Sequence, residues 1–147
     1  MPHETIIAID SRSDLMPSVY AVRHEVFVVE QRVPAALERD ALDDTATHLV
    51  ALRGGTVVGT LRIVVGGDTA RIGRMAVRAA ARHGGIGARL MQSAAEVASQ
   101  MGAHEIILHA QLRAREFYFR LGYREKGSVF DEAGIPHIAM RKAITQS

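Results

Sequence analysis

The order of apolar and polar positions predicts a strand and then a helix at the start of the chain. Residues 5–10 fit a short strand. Ser13 or Asp14 can then cap a helix. Apolar residues recur after them at helical spacing: Leu15, Val19, Val22, Val26 and Phe27. Pro17 falls in the first turn, where proline is tolerated. The periodicity is lost at residues 30–45, which predicts an acidic loop with room for one short helix.

Three strands are predicted next, at residues 48–53, 57–65 and 70–77, where apolar spacing changes to a period of two. The connections between them are Gly54-Gly55 and Gly66-Gly67-Asp68, and short glycine-rich connections are typical of hairpins. The three segments therefore predict an antiparallel meander.

The second half of the chain predicts a βαβ unit. A helix at residues 85–101 has one apolar stripe, made by Ile86, Leu90, Ala94, Val97 and Met101. The apolar strand 105–110 that follows is predicted to lie parallel to a neighbour, because the helix serves as a crossover connection. A second helix at residues 112–121 and strands at 123–130 and 137–142 complete the order.

The predicted fold class is mixed α/β (α+β): a mixed central sheet with an antiparallel N-terminal meander, a βαβ crossover and flanking helices. One domain, residues 1–147, is expected for this length. Hydrophobic residues make up 48% and charged residues 23%, as in globular proteins. The sequence has no apolar run long enough to predict a membrane span. The N-terminus has no signal-peptide pattern, so a cytoplasmic location is expected.

Charge and residue types exclude several classes of partner and site. The net charge is only +2 and the basic residues are spread along the chain, so no nucleic-acid partner is expected. Without cysteine, the chain has no disulfide, thiolate metal site or cysteine nucleophile. No metal site is expected, because no pair of carboxylates or histidines has a suitable spacing.

A glycine-rich turn, Arg82-His83-Gly84-Gly85-Ile86-Gly87, connects the last meander strand to the next helix. Its glycines let the backbone approach a ligand, and free N–H groups at a helix N-terminus favour an anion such as a diphosphate. A sharp turn without a ligand explains the glycines equally well. The nucleoside-triphosphate loop does not fit, because Ala88-Arg89 follows Gly87, and neither does the dinucleotide Gly-x-Gly-x-x-Gly pattern.

This turn resembles the cofactor motif of the GNAT N-acetyltransferase superfamily, with the spacing Arg82-x-x-Gly85-x-Gly87. A second motif is similar to the helix after the fifth strand of that family: Gln111-x-x-Ala114-x-x-Phe117-Tyr118-x-x-Leu121-Gly122-Tyr123. The chain also resembles the narrower ElaA-like branch in three segments: Arg23-x-x-Val26-Phe27-Val28-x-Glu30-Gln31, Asp40-x-x-Asp43-x-x-x-x-His48 and Gly134-Ile135-Pro136-His137. The resemblance covers nearly the whole chain.

The resemblance implies a GNAT fold and the direct transfer of an acetyl group from acetyl-coenzyme A to a primary amine, on a small molecule or peptide. It implies diphosphate on the glycine turn, pantetheine along the fourth strand and a backbone N–H near Met75 or Val77 at the acyl carbonyl. The implied cofactor-binding residues are Met75, Ala76, Val77, Arg82, His83, Gly84, Gly85, Ile86, Gly87, Ala88, Gln111 and Tyr118. Many relatives have Asn where this chain has Gln111.

Tyr118 and Glu30 are the candidate catalytic residues. Tyr118 matches the family tyrosine beside the coenzyme sulfur; packing with Phe117 on an amphipathic helix is the alternative. A tyrosine pKa of ~10 against ~8.5 for a thiol makes full proton transfer uphill by roughly 2 kcal/mol, so hydrogen bonding to the thiolate is the predicted role. Glu30 is a candidate base or amine-binding carboxylate, or else a solvated helix-end residue.

Other polar residues leave alternatives open. His48 and His109 are structural residues or proton acceptors, and His137 belongs to the ElaA-like ending. Arg74 forms a surface pair or binds an acidic group of the acceptor. The acids of residues 38–44 form a solvated loop or an acidic lip for a cationic amine.

Two other functions and several properties also stay open. One function is an acyl-homoserine-lactone-synthase-like acyltransferase, and the other is a noncatalytic acyl-coenzyme A sensor. The acceptor, the general base, the use of longer acyl donors and the oligomeric state, with a homodimer among its options, are not decided by the sequence.

Overall fold

Seven strands form one sheet in the structure, a computed structural model that describes residues 4–145. They are β1 (Thr5–Ile9), β2 (Thr47–Arg53), β3 (Thr56–Gly66), β4 (Thr69–Val77), β5 (Glu105–Gln111), β6 (Arg124–Glu132) and β7 (Ile135–Ala143). Their spatial order is β1-β2-β3-β4-β5-β7-β6. Only β4 and β5 are parallel; the other neighbours within residues 4–145 are antiparallel.

The helices of the described residues cover both faces of this sheet. They are α1 (Met16–Arg23), α2 (Ala35–Glu38), α3 (Ile86–Gln100) and α4 (Arg115–Arg120). A π-helix, His24–Glu30, continues α1, and single 3-10 turns cover Ala41–Asp44, Ala79–Ala81 and Leu112–Ala114. None of the helices within residues 4–145 is both long enough and apolar enough to span a bilayer.

Strand alternation divides the core into two clusters. Leu49 and Ala51 of β2 pack with Leu90 of α3 in the larger cluster, whereas Val50, between them in sequence, packs with Val19 of α1. Successive side chains of a strand point to opposite faces, so α1 and α3 lie on opposite sides of the sheet.

The predicted mixed fold is confirmed. The predicted meander is β2 to β4, its hairpins turn at the predicted glycines, and α3 crosses over to the parallel strand β5. The first helix differs from its prediction. It begins at Met16 without a side-chain cap, because its N-cap residue is Leu15, which has no side-chain acceptor, and it changes to a π-helix after Arg23. Ser13 Oγ accepts a hydrogen bond from the backbone of Leu15 before the helix starts.

The prediction of a solvated acidic loop at residues 38–44 was wrong for Glu38 and Asp43. These side chains are only 4% and 2% exposed, because both bind the buried guanidinium of Arg23. Arg23 Nε donates to Glu38 at 2.8 Å and its Nη1 donates to Asp43 at 2.7 Å. Burial raises the pKa of Asp43, but the hydrogen bonds and charge of Arg23 outweigh burial and lower it to about 2.

Two more arginines bind the remaining acids of this segment. Arg62 of β3 contacts Asp40 at 2.7 Å and Asp43 at 3.0 Å. Arg74 of β4 contacts Glu38 and Asp40, both at 3.3 Å. The hypothesis of an acidic lip was therefore wrong for these three acids, since arginines already bind them. Of the two options for Arg74, the structure shows the ion pair.

Candidate active site

The parallel pairing of β4 with β5 ends halfway along both strands. Ile72 pairs with Leu108, and no later pair joins them, although β4 continues to Val77 and β5 to Gln111. The two strands thus separate and leave a cleft between their C-terminal ends. Backbone groups that face the cleft have no partner across it and are available to a ligand.

A bulge marks β4 at the start of this cleft. Opposite β3, Thr60 pairs with Ala76 and Arg62 with Gly73, so β4 has one more residue than β3 over this stretch. Arg74, inside the bulge, has a φ of 54°, which is uncommon for a residue with a Cβ atom. Such bulges change the direction of backbone groups and side chains beside functional sites.

A cavity of about 290 Å³ opens between the end of β4 and the N-terminus of α3. It is lined by Met75, Val77, Ala81, Arg82, His83, Gly85, Ile86, Gly87, Ala88, Ala114 and Phe117. Gly85 is the N-cap of α3 with a φ of 81°, and a Cβ added there would meet no atom within 4 Å. A Cβ on Gly87 would lie 3.3 Å from Phe117 Cζ, so this wall is already closely packed.

The glycine turn fits a phosphate group. The first hydrogen bond into the body of α3 runs from Arg89 N to Gly85 O, which leaves the N–H groups of the preceding first-turn residues outside the helical pattern. These donors and the positive end of a 15-residue helix favour an anion. The open space at Gly84 and Gly85 gives that anion access to the backbone.

A second cavity, of about 420 Å³, lies on the other side of the cleft. It is lined by Glu30, Gln31, Gln111, Leu112, Arg113, Ile135 and Pro136. Gln111 Nε2 donates to Gln31 Oε1 at 2.8 Å, which connects the end of β5 to the end of the π-helix. Arg113 Nε donates to Gln111 Oε1 at 3.0 Å.

One ion pair connects the two cavities. The terminal nitrogens of Arg82 donate to the two carboxylate oxygens of Glu30 at 2.6 and 2.9 Å, and Arg82 Nε donates to the carbonyl of Val77. The hydrogen bond from Arg82 is the main cause of a lowered pKa at Glu30. A carboxylate with a lowered pKa accepts a proton less readily, so this geometry disfavours Glu30 as a base.

Comparison with known proteins gives the family. The family model of the acetyltransferase (GNAT) domain matches residues 9–144. The uncharacterized N-acetyltransferase YjcF of Bacillus subtilis is 36% identical over 135 residues, which cover 91% of this chain and 96% of YjcF. The chain belongs to the GNAT acetyltransferase family.

Further similarities agree with the ElaA-like branch. Protein ElaA of Escherichia coli is 30% identical over 131 residues, or 86% of each chain, and its crystal structure has a TM-score of 0.84 at 26% identity, covering 95% of this chain and 99% of ElaA. The structure of an acyl-CoA N-acyltransferase from Pseudomonas aeruginosa has a TM-score of 0.85 at 33% identity, with 95% and 99% covered. This GNAT protein is therefore an acyltransferase with acyl-coenzyme A as co-substrate.

Most residues predicted for the GNAT cofactor border the first cavity. Met75, Val77, Arg82, His83, Gly85, Ile86, Gly87 and Ala88 line it, and Gly84 is exposed in the same turn. Ala76 instead packs in the smaller core cluster, the one that contains Val19 of α1, and Gln111 lines the second cavity. Phe117, Ala114 and Ala81 were missed as lining residues, although the first two belong to the motif of α4. These cofactor assignments stay predictions.

Tyr118 is 9% exposed and lines neither cavity, and its ring packs with that of Phe117 in a T-shaped arrangement at a centroid distance of 5.0 Å. Its hydroxyl makes no hydrogen bond with residues 4–145. Within residues 4–145, the one fully buried side-chain nitrogen or oxygen atom without a hydrogen-bond partner is His48 Nδ1. Because the Tyr118 oxygen also has no partner but is not in this class, it retains some accessible surface. Burial raises the pKa of Tyr118 to about 12, which makes proton donation to a thiol of pKa ~8.5 uphill by roughly 5 kcal/mol.

His109 follows Leu108 and is the first β5 residue beyond the last pair with β4. It lies on the same face as Gln111, towards the second cavity. Its Nδ1 donates to Glu132 at 2.8 Å, which leaves Nε2 of a neutral ring as an acceptor. Gly73 is the β4 residue directly after Ile72, the last residue that pairs with β5. A Cβ added to Gly73 would meet nothing within 4 Å, so there is open space next to His109.

The other histidines of the sequence prediction have different surroundings. His48 is fully buried and its Nε2 contacts the carbonyl of Asp43 at 3.0 Å, away from both cavities. His137 Nδ1 donates to the carbonyl of Ile135 at 2.7 Å. Among residues 4–145, no three His, Asp or Glu side chains are grouped in a way that would hold a metal ion.

Proposed function

We propose that this protein transfers an acetyl group from acetyl-coenzyme A directly to the primary amine of a small molecule or peptide. The observation that supports it is the pair of cavities on the two sides of the β4–β5 cleft. One cavity has an anion-binding helix terminus for the coenzyme, and the other has room for an acceptor. Direct transfer agrees with a chain that has no cysteine to form an acyl-enzyme.

The separated edge of β4 binds the acyl group in this proposal. The thioester of acetyl-coenzyme A supplies the group to be transferred. A backbone N–H near Met75 or Val77 donates to the thioester carbonyl, where negative charge develops during attack. The bulge at Arg74 changes the direction of the β4 backbone here, relative to a strand paired regularly with β3.

Tyr118 hydrogen bonds to the departing thiolate rather than protonating it fully. Its raised pKa supports this division, because a hydrogen bond stabilises the thiolate without the cost of ionising a buried phenol. The hydroxyl has no competing partner in residues 4–145, so it is available to the sulfur.

His109 accepts the proton that the attacking amine loses, directly or through water. His109 lies where β4 and β5 separate, and Glu132 orients its ring. These features make His109 a better candidate for this role than Glu30, which is ion-paired with Arg82. A carboxylate that binds one imidazole nitrogen stabilises the charged ring that forms when the other nitrogen takes a proton.

The function is tested by incubating the protein with acetyl-coenzyme A and panels of amino acids, peptides and polyamines while thiol release is measured. Acceptor-dependent release, with the acetylated amine found by mass spectrometry, is expected. Coenzyme binding without release across the panels would favour the sensor. Turnover with long acyl donors alone would favour the lactone-synthase-like alternative.

The role of His109 is tested by His109→Gln, with His104→Gln as the control, since His104 is exposed in the turn before β5. Loss of a general base is expected to lower kcat/KM roughly 10²- to 10⁴-fold. The loss should shrink above about pH 9, where more of the amine is already neutral. Equal effects of both substitutions, or a loss independent of pH, would remove His109 from this role.

A further inference from the structure

We propose that the acceptor carries a carboxylate close to its reactive amine, as an amino acid does, and that Arg113 binds this carboxylate. The inference rests on the proposed function, because it assigns the second cavity to the acceptor. It names a chemical class that the family comparison leaves open.

The charges that line the second cavity do not suit a purely cationic acceptor. Glu30 is the one carboxylate among its described lining residues, and both of its oxygens accept hydrogen bonds from Arg82. Three acids of residues 38–44 are occupied as well, since arginines bind Glu38, Asp40 and Asp43. Within this lining, a polyamine would have to displace Arg82 before it met a free carboxylate.

Arg113 supplies the opposite charge to the same cavity. It forms no ion pair with the described residues, and its one hydrogen bond there uses Nε. Its two terminal nitrogens therefore remain available. A guanidinium that presents two donors side by side matches the two oxygens of a carboxylate.

The guanidinium of Arg113 is held in place by a chain of side-chain amides. Gln31 Oε1 accepts a hydrogen bond from Gln111 Nε2, and Gln111 Oε1 accepts one from Arg113 Nε. This chain fixes the direction of Gln111, because its carbonyl must face the arginine. An arginine ordered before binding loses less conformational entropy when the acceptor arrives.

The rest of the cavity fits the size and polarity of a small acceptor. Leu112, Ile135 and Pro136 provide an apolar wall beside the two glutamines. The volume of about 420 Å³ lies within the range for small-molecule sites, roughly 300–1,000 Å³. A compact amine with a carboxylate and an apolar side chain satisfies each of these surfaces.

The test compares free amino acids with their carboxamides, and with putrescine and spermidine, as acceptors for the whole protein and acetyl-coenzyme A. The wild type should have a kcat/KM for its best amino acid roughly 10- to 100-fold above that for the matching carboxamide. Amine ionisation cannot produce this preference, because the carboxamide has the less protonated amine.

Arg113→Gln should remove the preference by raising KM for the amino acid while leaving the carboxamide unchanged. Arg115→Gln is the matched control: Arg115 is exposed, lies outside both cavities and should leave the preference intact. A wild type that uses carboxamides or polyamines as well as amino acids would overturn the inference and leave the proposed function standing. An Arg113→Gln loss shared equally by acid and carboxamide would also overturn it. Failure with every acceptor would reject both.

Discussion

Arg82 and Glu30 bind each other through two hydrogen bonds, of 2.6 and 2.9 Å, where the two cavities meet. Arg82 lines the cavity at the glycine turn, and Glu30 lines the cavity across the cleft. A diphosphate bound at the turn, as proposed, would therefore compete with the carboxylate of Glu30 for one guanidinium.

Glu30→Gln should keep or increase the affinity for coenzyme A, because it removes the carboxylate that competes for Arg82. Arg82→Gln should weaken coenzyme binding roughly 10-fold through the loss of a charged hydrogen bond. Calorimetric titration with coenzyme A measures both. Turnover of Glu30→Gln provides a separate check, since a loss of about 10²-fold or more would return Glu30 to the role of general base.

Tyr118→Phe should lower kcat by about 10²-fold, the effect of removing one donor to a developing charge. Coenzyme affinity and the melting temperature should change little, because the ring packing on Phe117 remains and the hydroxyl bonds to no described residue. Steady-state kinetics and thermal unfolding measure the two effects. Unchanged turnover would mean that Tyr118 is only a packing residue.

Gly85→Asp and Gly85→Asn form a matched pair for the phosphate turn. The φ of 81° suits both residues about equally among those with a side chain, and a Cβ there meets no atom. Only the aspartate places a negative charge beside the diphosphate, so we expect it to weaken coenzyme binding roughly 10-fold more than asparagine does. Equal affinities of the two variants would place the diphosphate elsewhere.

Acid should destabilise the fold between about pH 4 and pH 2 through Asp43. Its pKa is lowered from 3.8 to about 2 in the fold, so its ionised form contributes about 2 kcal/mol of stability above pH 4, lost as pH falls through the lower pKa. Urea unfolding at a series of pH values measures the free energy of unfolding.

The control for this prediction is Asp43→Asn. It should be destabilised at neutral pH by roughly 3–5 kcal/mol, because it leaves buried guanidinium groups without their carboxylate. Its stability should then change less between about pH 4 and pH 2 than that of the wild type. Parallel pH profiles for the two proteins would assign the acid sensitivity to other groups.

Much of the fold could be predicted from the sequence, because periodicity and glycine positions are local signals. The meander and the α3 crossover follow from apolar spacing at residues 48–101, and the turn before α3 follows from its glycines. The change from α1 to a π-helix at His24 has no such signal in apolar spacing, and neither has the bulge at Arg74.

The site was harder to predict, because its charges depend on partners distant in sequence. Arg23 and Asp43 are 20 residues apart, and Arg82 and Glu30 are 52 apart. Composition alone describes an acidic segment and a free glutamate, whereas the fold pairs Glu38, Asp40, Asp43 and Glu30 with arginines from other elements. The proximity of His109 to Glu132 likewise depends on β5, β7 and β6 lying side by side.

The sheet also has a mechanical property that follows from the short pairing of β4 with β5. In the described residues, four residue pairs join β4 to β5, and at the same end Asp68 O accepts backbone hydrogen bonds from His104 and Glu105. A coenzyme molecule lying between the separated ends would bridge the two halves and act as an internal brace. Since a ligand that binds only the native state stabilises it by mass action, the bound coenzyme becomes part of what resists unfolding. The free coenzyme concentration would then affect the stability of this protein as well as its rate of turnover.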